Sequence, residues 1–140
     1  MDQEISVHTL FWAKRGMNRA VHAGALQLDR EKLALGIRSI DEERALQAFR
    51  ETLERNLRLE PDGTPRTGSF LRDDVELVDF YVAEESEGFP HTYRNESFDY
   101  TVTFSRPGVA AIVKIKYPAL FTVLDPIVWY VKASAELVYE

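Results

Sequence analysis

Apolar positions near the start of the chain recur at alternating three- and four-residue steps: Leu10, Ala13, Met17, Ala20 and Gly24 fall on one side of an α-helix. This pattern predicts a long first helix over Ile5 to Leu28, with Lys14, Arg15 and Arg19 on its wet side. Gly16, Ala20 and Gly24 follow at four-residue steps, so a neighbouring backbone can approach more closely than a leucine-lined face would allow. A glycine inside a helix loses about 1 kcal/mol against alanine, so the stretch needs tight packing to hold it. Those six positions, Leu10, Ala13, Gly16, Met17, Ala20 and Gly24, are therefore the candidate interaction face.

Asp29 is placed to cap a short helical segment ending near Leu35, with Gly36 beyond its C-terminus. Ser39 and Glu42 fit a capping box, which predicts a second amphipathic helix from Ile40 to Leu57. Its apolar stripe reads Leu46, Phe49, Leu53 and Leu57, and Glu42, Glu43, Arg44, Arg50, Glu51, Glu54 and Arg55 are on the solvated side. Pro61-Asp62-Gly63 ends this helical half, and Thr64 to Arg72 reads as an ordered loop.

From Asp74 the period changes to two. Val75 to Val82 predicts a strand in which the alternation slips at Leu77-Val78, as a bulge would make it. After an acidic loop from Glu84 to His91, Phe98 to Ser105 reads as a second strand, followed by a Pro107-Gly108 turn. Val109 to Tyr117 is apolar on both faces at its start, the mark of a central strand. Pro118 to Asp125 is a short connection carrying Leu120, Phe121 and Leu124, and Ile127 to Leu137 is the last strand. That connection predicts antiparallel pairing of the last two strands. The expectation is one α+β domain over 1–140, its helical part (1–60) packed on an antiparallel sheet of about four strands (61–140).

Charge narrows the partners. The net charge is −6, and the thirteen acidic residues of 61–140 face only seven basic ones, while 1–60 is balanced at ten and ten. Such a surface repels polyanions, and no Lys/Arg stripe interleaved with aromatics is present, which argues against nucleic acid. With no cysteine, disulfides, thiolate metal sites and a cysteine nucleophile are excluded. No apolar run is long enough to span a bilayer, and no signal peptide opens the chain.

Candidate chemistry is sparse. The sequence has no glycine-rich nucleotide fingerprint, phosphate loop, zinc-protease helix, nucleophile elbow or EF-hand loop. His8 and His22 stand about 21 Å apart along the helix, too far to share an ion. Asp73-Asp74 and Glu84-Glu85-Ser86-Glu87 supply clustered oxygens, but in no calcium-loop spacing. His91-Thr92-Tyr93-Arg94 groups functional side chains in a predicted loop with no partner nucleophile, and Asn95-Glu96-Ser97 matches a glycosylation triplet. The residues name no catalytic set, cofactor or metal. They leave three readings open: an assembly component, a cytoplasmic small-ligand module with an apolar pocket between helices and sheet, and a small hydrolase working from 91–95.

The opening Trp12-Ala-Lys-Arg-Gly-Met-Asn-Arg-Ala-Val-His-Ala-Gly-Ala-Leu-Gln-Leu-Asp29 resembles the segment that follows the membrane helix in the TadE/TadG-like group of the Tad (tight adherence, Flp-type) pilus-assembly family. The helix at Asp41 to Leu57, the β region from Asp74 and the closing Tyr130-Val-Lys-Ala-Ser-Ala-Glu-Leu137 are similar to the rest of such chains. The resemblance implies a pilin-like, extracytoplasmic structural protein, held to the membrane only by an upstream helix that these 140 residues do not include. Its implied partners are other pilin-like or surface-assembly proteins, with self-association through the first helix. It also predicts graded burial, with Val21, Ala25 and Leu28 more enclosed than Ile5, Leu10 and Trp12.

Overall fold

The computed structural model describes residues 2–37, 39–67, 75–84, 88–117 and 127–137, with side chains from residue 10 onward except at 117 and 127. Helix α1 spans Asp2–Ala25, a short α2 spans Arg30–Ala34 and α3 spans Glu42–Leu57. Among the described residues five strands follow: β1 (Glu76–Ala83), β2 (His91–Asn95), β3 (Tyr100–Phe104), β4 (Gly108–Tyr117) and β5 (Ile127–Glu136). The class is α+β as expected, but the strands form two antiparallel sheets, β1-β4-β5 and a β2-β3 ribbon, in place of one sheet of about four.

At 24 residues, α1 is about 36 Å long. Ala13, Met17, Ala20, Val21 and Ala25 are sealed in the main core together with Ala45, Phe49, Leu53 and Leu57 of α3. Residues 27–29 then pair with 39–41: Leu28 bridges Ile40, Asp29 N donates to Ser39 O at 2.8 Å, and Asp41 N donates to Gln27 O at 2.7 Å. This clasp returns the chain so that α3 lies along α1, leaving α2 as an excursion capped by Asp29, whose Oδ1 accepts from Glu31 N and Lys32 N. Gly36 ends it at φ +81°, as its predicted place beyond the helix requires.

The clasp also corrects the expected capping box. Ser39 is held by backbone pairing inside the clasp, so α3 starts two residues later than predicted and Asp41 Oδ1 caps it, accepting from Arg44 N at 3.1 Å. The Ser39 hydroxyl is buried with no hydrogen-bond partner among the described residues. Ser39→Ala is therefore expected to leave stability unchanged or raise it by about 1 kcal/mol, where loss of a true cap would lower it by about 1 kcal/mol. Urea denaturation of the two proteins reads the sign.

In α3 the buried stripe is Ala45, Phe49, Leu53 and Leu57, with Leu46 only half-buried. Alanine stands at the closest point because α1 leaves no more room: a Cβ built on Gly24 would sit 3.1 Å from Ala45 O, and one on Gly16 would sit 3.2 Å from Leu57 Cδ2. The two glycines of α1 are thus the points of closest helix approach.

The sheet order places β4 at the centre, as its two apolar faces predict, and its ten-residue pairing with β5 is antiparallel. Val109, Ala111, Val113 and Ile115 face the helices, while Ala110 faces the second core under the ribbon. In β1 the register slips between Leu77 and Asp79, so Val78 is the extra residue of a bulge. The slip keeps Leu77 and Phe80 on the helix side while Asp79 and Tyr81 face the ribbon. The ribbon β2-β3 therefore covers the sheet face opposite the helices.

Candidate functional site

Five of the six predicted interface positions are buried. Ala13, Met17 and Ala20 have no exposed surface and Gly24 is buried; Gly16 is buried against Leu57, and only Leu10 stays accessible, at 38%. The small-residue face is thus occupied by α3 and the sheet of the same chain. Burial is graded as expected between Val21 and Ala25, which are enclosed, and Leu10, which is not. Leu28 and Trp12 are both half-buried, and the side chain of Ile5 lies outside the described residues. Exposed apolar surface on α1 continues with Phe11, 64% exposed, and Arg15 follows it one turn later on the same outward side. Lys14 reaches the other way, donating from Nζ to Lys132 O of β5. Burial, with the Lys132 charge adding to it, holds the Lys14 ammonium below its ordinary value.

The predicted loop at His91 is a strand. His91–Asn95 forms β2, paired with β3 from His91↔Phe104 to Asn95↔Tyr100. The signal available in the sequence was the β-forming Thr92-Tyr93 pair with polar neighbours on alternate positions, masked by its proximity to an acidic stretch. Its side chains dock the ribbon. Tyr93 Oη donates to Asp79 Oδ2, Asn95 Nδ2 donates to the same oxygen at 3.2 Å, and His91 Nε2 pairs with Tyr81 Oη. Tyr81 stacks on Tyr93 with ring centroids 4.7 Å apart, and Tyr100 meets Tyr93 edge-on at 6.1 Å.

Burial, reinforced by the hydrogen bond to Asp79, pushes the Tyr93 phenol up to about 12. A tyrosine whose folded value is raised holds its proton in the native state after the unfolded chain has lost it. Stability from this group is therefore complete below pH 10 and is lost as pH rises toward 12. Denaturation midpoints are expected to fall between pH 10 and 12, and Tyr93→Phe should flatten that limb. An unchanged slope in the variant would exclude Tyr93 as its source.

A cleft of about 430 Å³ opens between α3 and β1. Its floor is apolar, formed by Phe49, Leu53, Leu59, Val75, Leu77 and Val113, and among the described residues its rim carries Glu54, Asp62 and Glu76 with Arg50, while the charge of Arg66 also reaches Glu54. Burial, with the charge of Glu51 alongside, raises the Glu54 carboxyl above its ordinary value. Asp62 is held the other way, its carboxylate accepting from Thr64, whose N lies 2.9 Å from Oδ1. The rim acids come from three separate elements, so no local pattern announces the cleft.

No group of three or more metal-ligating side chains occurs among the described residues. Asp73-Asp74, Glu85 to Glu87 and the connection from Pro118 to Asp125 lie outside those residues. No helix among the described residues is long and apolar enough to cross a membrane. No family model, curated protein or solved structure matches the chain.

Proposed function

We propose that this chain is a non-enzymatic, pilin-like assembly component of Tad type that works outside the cytoplasm. In this reading a membrane helix joined ahead of α1 tethers it, and its partners are other pilin-like or surface-assembly proteins. The observation that carries the proposal is the bedding of α1. From Ala13 to Ala25 its core-facing side is closed by α3 and the sheet, whereas Leu10, one turn earlier on that same side, is 38% exposed beside a 64% exposed Phe11. The helix begins at Asp2, about 16 Å ahead of Ala13. A helix anchored lengthwise on an antiparallel sheet and carried past the body presents apolar surface to a neighbour.

The hydrolase reading loses ground because His91, Tyr93 and Asn95 are engaged in docking β2 onto β1, with His91 paired to a tyrosine. The test is made in the bacterium that produces the full-length protein. Protease added to intact cells should digest the domain, and deletion of the gene should abolish surface filaments. A protected domain in the cytosolic fraction, together with unaltered filaments, overturns the proposal.

A further inference from the structure

The molecule carries two surfaces of matching chemistry on opposite flanks. On one flank, α1 lies beside β5, as the Lys14 contact to Lys132 requires, and presents Phe11 with Arg15 one turn along the same outward side. On the other flank, the cleft between α3 and β1 offers an apolar floor rimmed, among the described residues, by three carboxylates and one guanidinium, with Arg66 near Glu54. Strands β1 and β5 are the two edges of the three-stranded sheet, with β4 between them. The Phe11–Arg15 patch and the acid-rimmed cleft are thus separated by the width of the sheet.

We infer that the cleft is the docking site for a second copy of this chain, taking the Phe11 ring against Leu53 and Leu77 and the Arg15 guanidinium among Glu54, Asp62 and Glu76. The inference rests on the assembly reading and names its partner and its contact. Apolar surface meets apolar floor, and a cation enters a rim with an excess of carboxylates, which is the complementarity that orients two surfaces on encounter. Because the surfaces lie on different flanks, the contact is heterologous. Each copy that donates α1 still has its own cleft open, so the contact propagates as an open chain of subunits instead of closing as a two-fold dimer.

The test is charge exchange between the flanks, read by sedimentation velocity of the purified chain over a concentration series at low and high salt. The wild-type chain is expected to self-associate, more weakly at high salt. Arg15→Glu alone and Glu54→Lys/Glu76→Lys alone should each weaken association roughly tenfold, and Phe11→Ala should do so without changing the salt dependence. Mixing the Arg15→Glu chain with the Glu54→Lys/Glu76→Lys chain should restore pairing, which a folding defect cannot do. A wild-type chain that stays monomeric at every concentration, an Arg15→Glu chain that associates as the wild type does, or a mixture that fails to pair would each overturn the proposal. Salt-sensitive pelleting with anionic vesicles, lost in Phe11→Ala and Arg15→Glu and unaccompanied by self-association, would assign the patch to a lipid surface and likewise overturn it. If the docking fails while deletion still abolishes filaments in the producing cell, only the contact is wrong and the assembly reading stands.

Discussion

Truncating Phe49 to alanine is expected to lower the unfolding free energy by about 3 kcal/mol, toward the lower end of the range for buried phenylalanines. Phe49 is fully buried on α3 and packs its ring against Phe80 of β1, with centroids 5.3 Å apart. This aromatic contact joins the helix layer to that edge of the sheet. The ring also forms part of the cleft floor, so its removal enlarges an open concavity where a closed void would have remained dry. Water can enter such a space, which places the effect below that of a sealed cavity. Leu46→Ala, on the half-buried side of the same helix, serves as the comparison and should lose only about 1 kcal/mol. Equal losses in the two variants by urea denaturation would mean that α3 is not docked through Phe49.

Gly24→Leu is the second large effect, and its origin is steric. A Cβ at Gly24 would stand 3.1 Å from the Ala45 carbonyl oxygen and 3.7 Å from Val109 Cγ2. The nearer atom is backbone, which cannot turn aside as the tip of a long side chain would. Separation of α1 from α3 is resisted just beyond this point, where the Asp29–Ser39 and Asp41–Gln27 backbone bonds clasp the two helices together. The expected loss is about 3 kcal/mol. Gly24→Ala should change stability by less than about 1 kcal/mol, because the gain in helix propensity opposes a contact that a small shift relieves. Asn18→Leu, on the exposed side of α1, is expected to be close to neutral, within about 0.5 kcal/mol. Thermal and urea unfolding of the three variants should rank them in that order.

Much of the fold was legible because single elements carry their own burial signature. The α1 seam, the Asp29 cap, the bulge at Leu77-Val78 and the centrality of β4 all follow from spacing within one stretch. The capping box failed for a tertiary reason. Ser39 and Glu42 have the right local chemistry, but pairing of 27–29 with 39–41 places Ser39 in the clasp and gives the cap to Asp41. Leu46 likewise yielded its place to Ala45 because the approach of Gly24 decides which residue fits between the helices.

The candidate site was legible only in its parts. Phe11 and Arg15 are visible as neighbours on a helix, yet nothing in their spacing says that Leu10 and Phe11 would stay exposed while Ala13 and Met17 are sealed. Glu54, Asp62 and Glu76 are distant in sequence and converge only when α3 is laid against β1. By itself, the sequence determined the α+β class, the two amphipathic helices and the antiparallel pairing of the last two strands, since each depends on a period read within one element or across one short connection. The tertiary structure alone decided that the strands divide into a sheet and a ribbon, that the α1 seam is closed by its own chain, and that an acid-rimmed cleft lies on the flank opposite the exposed Phe11 and Arg15. Those outcomes depend on which faces meet, and long-range packing settles that through contacts no local period encodes.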